Sequence, residues 1–290
     1  MISIIIPNYN CAARLALCLQ SLHNQTYNSP FEIIIVDNGS NDASLDVIKS
    51  YDNIKLITFD TIKNPYICRN VGIEAAKGDI IGLLDAKCVP DQYWLENAAK
   101  YFKDKSAPLM IGGRYGFKYD PNDFYQLFYS LFFLDIELNY KNNYGFIVGN
   151  LFFHKKVIDT CGLFDESSLS IEDIRWTTNV INSGVQSYYA ADVLVEYPAK
   201  NKSEILASNR RDARGMIDLY MHQANYRQIW LWFINCLKPP NPFTIRKIIK
   251  RKLVARNLFL EVRLYLFYLY LRWYFLFYSL ARLIKSVIIR

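Results

Sequence analysis

Paired cysteines, clustered histidines and long apolar runs are all missing from this 290-residue chain, and each gap removes a class of protein. The six cysteines (Cys11, Cys18, Cys68, Cys88, Cys161, Cys236) form no CxxC pair, and the three histidines (His23, His154, His222) are scattered. Neither a zinc module nor a disulfide framework is written this way, so the cysteines read as reduced core residues. Glycine and proline, at 12 and 10 residues, are too few for a low-complexity or collagen-like chain. The longest uncharged runs of the C-terminal third, 228–237, 264–271 and 273–281, fall short of the roughly 18 to 20 residues of a spanning helix. The apolar opening at 2–6 stops at Pro7 without a basic segment before it, so it reads as a strand and not as a secretory signal. The expectation is a peripheral or monotopic protein on the cytoplasmic side of a membrane, lying on it without crossing.

Acidic residues are scarce in one region only. Residues 201–290 carry 17 basic and 4 acidic side chains, net +13, whereas 1–200 carry 17 and 23, net −6; together they give the chain's +7. Aromatics are interleaved with the basic residues of that tail. Amphipathic rings beside cations suit a bilayer interface better than nucleic acid. In 244–256, Ile245, Ile248, Ile249 and Leu253 fall on one helical face among Arg246, Lys247, Lys250, Arg251 and Lys252, the pattern of a basic amphipathic helix. Segment 244–290 is therefore expected to hold the chain on an anionic membrane surface, with no nucleic-acid partner.

What is present is an alternation. Short β-branched runs at 2–6, 31–36, 54–58 and 80–84 are separated by segments with helical spacing, such as Leu15, Leu19 and Leu22. Continuously apolar strands between helices imply a doubly wound, mostly parallel α/β sheet, with ligands at the carboxyl ends of its strands. After Gly112-Gly113 the pattern loosens. A strand is expected at 146–154, helices at 174–182, 210–236 and 244 onward, and the aromatic stretch 124–133, helical in spacing, reads as core or as an acceptor platform. The expected organisation is a catalytic domain at 1–209, with a donor part at about 1–115 and an acceptor part at 116–209, and a helical extension at 210–290.

Polar clusters close the apolar strands: Pro7-Asn8-Tyr9-Asn10, Asp37-Asn38-Gly39-Ser40, Asp85-Ala86-Lys87 and, later, Glu172-Asp173. With Arg69-Asn70-x-Gly72, Gly78-Asp79, Gly149-Asn150 and Gly162-x-Phe164-Asp165-Glu166, they occur in the order typical of glycosyltransferase family 2, the GT-A fold, which the chain resembles over about residues 2–198. The resemblance implies an inverting transfer of a sugar from a nucleoside diphosphate donor, expected to be a UDP-sugar, to a glycan or lipid-linked acceptor in cell-surface polysaccharide or glycolipid synthesis. It places Pro7, Tyr9, Asn10, Asp37 and Asn38 at the nucleotide, Arg69 and Asp85 near the donor diphosphate and sugar, and Asp173, ahead of Glu172, as the base. Gly113, Asn150 and Trp176 would lie on the acceptor side.

Two positions depart from the family pattern. Its Asp-x-Asp, which holds a divalent cation, reads Asp85-Ala86-Lys87, and the His of its Val-x-His-Pro reads Tyr197 in Val195-Glu196-Tyr197-Pro198. A fixed ammonium repels a hard cation, so no metal is expected, with Lys87 as the phosphate counter-charge. Mn2+ or Mg2+ is the alternative, with Glu196 as a replacement ligand. A catalytically impaired sugar-nucleotide-binding or membrane-bound accessory protein is the alternative function.

Overall fold

The computed structural model describes residues 1–60, 64–103, 107–133, 135–142, 144–168, 170–222, 226–253 and 257–288. The chain divides into two compact units, Met1–Lys118 with Leu134–Pro198, and Tyr119–Phe133 with Ala199–Arg290.

The first unit begins with β1 (Ile2–Asn8), α1 (Ala12–His23), β2 (Phe31–Asp37), α2 (Ser44–Lys49), β3 (Ile54–Thr58), α3 (Pro65–Ala75) and β4 (Ile80–Leu84). It continues with β5 (Val89–Pro90), α4 (Trp94–Tyr101) and β6 (Leu109–Lys118). Helix α5 (Phe124–Phe132) belongs to the second unit. The chain then adds α6 (Ile136–Lys141), β7 (Asn150–His154), α7 (Val157–Cys161), α8 (Glu172–Asn182) and β8 (Gln186–Pro198) to the first.

One eight-stranded sheet runs β3-β2-β1-β4-β7-β6-β8-β5. The apolar strand β1 lies between β2 and β4 and is parallel to both, with Asn8 opposite Asp37. That register brings the polar ends of β1 and β2 side by side. The second half departs from a parallel sheet: β7 is antiparallel to β4 and β6, and β5 antiparallel to β8. The aliphatic strand faces, with Leu15, Leu19 and Leu22 of α1 and the buried Trp94, Phe152 and Phe153, form the core. Removing that apolar surface from water is the main force holding the unit together.

Boundaries moved where side chains took over backbone bonding. Strand β7 starts at Asn150, not at 146, because Thr177 Oγ1 on α8 bonds both the N–H and the carbonyl of Phe146. Helix α3 starts at Pro65 because Asn64 caps it, its side chain accepting from Tyr66 N.

The second unit comprises α5 with α9 (Lys202–His222), α10 (Tyr226–Leu237), α11 (Pro242–Lys252) and α12 (Leu258–Ile288). Helix α9 begins eight residues before the expected Arg210, at a capping box. Asn201 Oδ1 accepts from Glu204 N, and Glu204 Oε2 accepts from Asn201 N. Residues 223–225 and 254–256 of the expected helices lie outside the described residues. The aromatic stretch is core here: Phe128 is fully buried, edge-on to Phe267 at 4.7 Å. The apolar face expected for residues 244–256 is likewise spent inside the unit, with Ile245 and Ile249 buried.

Candidate active site

Asp37 ends β2 as a buried carboxylate with every neighbour a donor. Its Oδ2 accepts from Asn8 Nδ2 at 2.7 Å and Ser40 Oγ at 2.6 Å, and its Oδ1 accepts from Ser40 N at 2.9 Å. Ser40 Oγ also accepts from Asn10 N, and Asn10 Oδ1 from Asn41 N, with Asn10 in the left-handed region at φ 47°. Asn8 thus plays the inner role, buried at the β1–β2 seam, while Tyr9 is half exposed and Pro7 lies between the two. Asn38 is buried beside them. The five residues expected at the nucleotide therefore lie together at the ends of β1 and β2.

The next strand end adds charge. Asp85 follows β4, and Arg69 of α3 donates to its Oδ1 at 2.7 Å. Burial works against the Arg69 charge, but Asp85 first, then Tyr66 and Asp173, outweigh it and hold the guanidinium more firmly protonated than usual. Arg69 also lies over the Tyr66 ring, 5.4 Å from its centroid. Exposed Lys87 acts on the Cys11 thiol, which burial pushes up and Lys87 pulls back down. The ammonium therefore lies on the side of Cys11, which follows β1.

Asp173 reaches the same place from the far part of the sequence. It opens α8, and Tyr66 donates its hydroxyl to Asp173 Oδ1 at 3.4 Å. Asp85, Arg69, Tyr66 and Asp173 therefore form one chain of contacts across β4, α3 and α8. Its neighbour Glu172 is turned inward. Glu172 is buried, accepts from Asp165 N at 2.9 Å and is clasped by Arg175 through Nε and Nη2. That clasp leaves Asp173 as the acid of the pair that meets Tyr66.

Three residues expected on the acceptor side, Gly113, Asn150 and Trp176, are buried and engaged within the fold. Trp176 is packed against Phe164 and Phe153, with Nε1 donating to Gly162 O. Asn150 is 0% exposed: its Oδ1 accepts from Trp94 Nε1, and its Nδ2 donates to Arg114 O and Val193 O, each at 3.0 Å. These two carbonyls flank the register shift between β6 and β8 at Gly113/Arg114, so Asn150 plugs a β-bulge. A Cβ on Gly113 would come within 2.3 Å of Asn150 Nδ2, which is why glycine stands there.

Sequence reasoning missed Tyr66 and Tyr115. Tyr66 lies three residues before Arg69 on α3 and so shares its helical face, a signal that was available. Tyr115 gave none. Its hydroxyl and Arg69 Nε are buried without a hydrogen-bond partner among the described residues. The Tyr115 hydroxyl and Asp85 Oδ2 both crowd Gly149, where a Cβ would lie 3.0 and 2.6 Å from them. Asp85 and Tyr197 are among the groups that, after burial, push the Tyr115 pKa well up.

The resemblance implies a divalent cation in this crevice, and the donor set is tested against it. Hard cations want several oxygen ligands. Here one carboxylate, Asp85, is engaged by a guanidinium, with an ammonium two residues on. Among the described residues no three His, Cys, Asp or Glu side chains gather in a group able to hold a metal. The donor set is thus short of the several oxygens such an ion takes.

A sheet with a buried acid at the end of β2, and a guanidinium-paired acid after β4 linked through Tyr66 to the acid that opens α8, has the organisation of a sugar-transferring enzyme of the GT-A class. Comparison with known proteins agrees. The chain belongs to glycosyl transferase family 2, whose model matches residues 3–162. It is 30% identical to Glycosyltransferase AglE of Haloferax volcanii over 90% of both chains. It is 26% identical to a dolichyl N-acetyl-alpha-D-glucosaminyl phosphate 3-beta-D-2,3-diacetamido-2,3-dideoxy-beta-D-glucuronosyltransferase of Methanococcus voltae, over 80% of this chain and 77% of that one. Among solved structures it is similar in fold to the mannosyltransferase PcManGT from Pyrobaculum calidifontis, described in complex with GDP-Man and Mn2+. The TM-score is 0.63 at 17% identity, over 97% of this chain and 86% of that one.

Proposed function

We propose that this glycosyltransferase makes an inverting transfer from a UDP-sugar to a lipid-linked or glycan acceptor, without a divalent metal. The observation that supports the reading is the contact chain Asp85–Arg69–Tyr66–Asp173, which links a guanidinium-paired acid after β4 to the acid that opens α8.

Asp173 takes the proton of an acceptor hydroxyl while that oxygen attacks the anomeric carbon from the face opposite the leaving group. The bond from that carbon to the diphosphate breaks as the new one forms, and the diphosphate departs with added negative charge. Lys87 and Arg69 supply the charge that meets it. A preorganised cation stabilises charge that develops in the transition state, which is where binding energy accelerates a reaction. Asp37 accepts from a base N–H at the nucleotide end, as the uracil N3–H offers. A competing base that cannot donate there leaves a buried carboxylate underused. The name of the Methanococcus relative supports a lipid-linked acceptor. The metal-free reading stands on the donor set of this chain and runs against the Mn2+ of PcManGT.

The test is a donor screen that reads released nucleoside diphosphate over UDP- and GDP-sugars, with dolichyl- and glycan-linked acceptors, with and without EDTA. Release of UDP with inverted product and undiminished rate in EDTA is expected. Release of GDP alone, retention of configuration, or a rate abolished by EDTA and restored by Mn2+ each overturns the corresponding part.

A further inference from the structure

Helix α12 is 31 residues long, about 46 Å at 1.5 Å per residue. Its inner side packs within the second unit. Leu276 and Leu283 lie against a buried cluster of Ile217, Ile229 and Phe233 from α9 and α10, and Arg282 pairs with Asp218 at 2.7 Å. The opposite side is covered by nothing within this unit. Phe259, Leu266, Trp273, Phe277, Leu280 and Ile284 recur there at spacings of three, four and seven residues, Trp273 58% and Phe277 65% exposed. On an α-helix such spacing draws one continuous stripe. Helix α10 spends Ile229 and Phe233 on the buried cluster and leaves Trp230, Ile234 and Leu237 exposed.

Water is a poor partner for an apolar surface of this extent, which marks an interaction site. The charges around it choose the partner. Glu261, the one acid of α12, is turned away and paired with Arg246 at 3.1 Å, and exposed Arg263 and Lys285 border the stripe. Exposed Arg227 and Lys238 stand at the two ends of α10. A second copy docked on this face would set cations against cations. An anionic bilayer meets both the apolar stripe and the basic rim.

We propose that the outer face of α10 and α12 lies in the plane of an anionic membrane, with Trp230 and Trp273 at headgroup depth. The helix lies in that plane and does not cross it: among the described residues no helix is long and apolar enough to span. Within the expected segment 244–290 the apolar face of α11 is spent in the fold, with Ile245 and Ile249 buried, and the exposed apolar face is that of α12, with α10 added from outside the segment. Nothing here depends on the proposed reaction, because membrane partition is read without turnover.

The experiment uses the full chain and vesicles of phosphatidylcholine with about a quarter phosphatidylglycerol. Sedimentation with the vesicles and quenching of tryptophan emission by bromolipid are expected. Trp273→Ser with Phe277→Ser should lower partition about tenfold or more, while circular dichroism stays unchanged, because both side chains are exposed. Lys238→Gln with Lys285→Gln should lower the preference for anionic over neutral vesicles about tenfold. A folded double variant that partitions like the parent overturns the assignment. So does a dimer in sedimentation velocity that the Trp273/Phe277 variant dissociates, with no vesicle binding by the parent.

Discussion

Asp173 and Glu172 are adjacent in sequence and opposite in circumstance, and that contrast governs what substitution does. Asp173→Asn should leave donor affinity near the parent's and lower turnover by about a hundredfold or more, the range a general base contributes. Glu172→Gln should weaken the Arg175 clasp and show first in thermal stability, so stability and single-turnover rates measured on the pair separate the two roles. In the proposed reaction the Lys87 charge matters most as the leaving bond breaks. Lys87→Ala should therefore lower kcat more than it raises the donor Kd, and activity of the parent should persist in excess EDTA. Tyr115 gives a third test. An unpartnered buried hydroxyl costs stability, so Tyr115→Phe should raise unfolding free energy by about 1 kcal/mol in urea titration while lowering donor turnover, the mark of a group kept for ligand. The acids at strand ends were legible because they interrupt apolar runs. The roles of Asn150 and Trp176 were not, because a buried polar or aromatic side chain and a ligand-binding one are spelled alike until their partners are known.

At the scale of elements, β1 to β4 were readable nearly to the residue, since a β-branched run closed by Pro, Asp or Gly has one economical conformation. The second half resisted because its bonding is non-local. Phe146 is held by Thr177 of α8, and the β6–β8 register shift is mended by a side chain from β7. Asn150→Ala should therefore cost at least about 3 kcal/mol in urea unfolding, because it strands two carbonyls and the Trp94 indole N–H in the interior. Helix α11 shows the complementary limit. Periodicity revealed its apolar face but not its addressee, and that face turned out to be internal. The sequence motifs Arg69-Asn70-x-Gly72 and Gly162-x-Phe164-Asp165-Glu166 proved to be two halves of one joint. Asn70 bonds the carbonyl and N–H of Phe164 and the Glu166 carboxylate, and Asn64 bonds the Glu166 and Ser168 carbonyls. Asn70→Ala should accordingly raise amide hydrogen exchange in 162–168 and lower turnover together, since the segment leads directly into Asp173.

Over the whole molecule, charge and apolar surface are distributed unevenly: an acidic catalytic part precedes a strongly basic helical part, and the large exposed apolar side chains are concentrated in the latter. Composition made the first of these visible from the start. It could not say which helix face stays outside, because that depends on which side chains find partners in the fold. A chain that meets a bilayer through the outer face of α12 would mislead the usual sorting of membrane proteins by extraction. A concentrated salt wash screens Arg263 and Lys285 and should free only a minor part, while Trp273 and Phe277 keep their hold in the interface. Detergent would be needed for the rest. In fractionation the enzyme would then travel with proteins that cross the bilayer, although none of its described helices can.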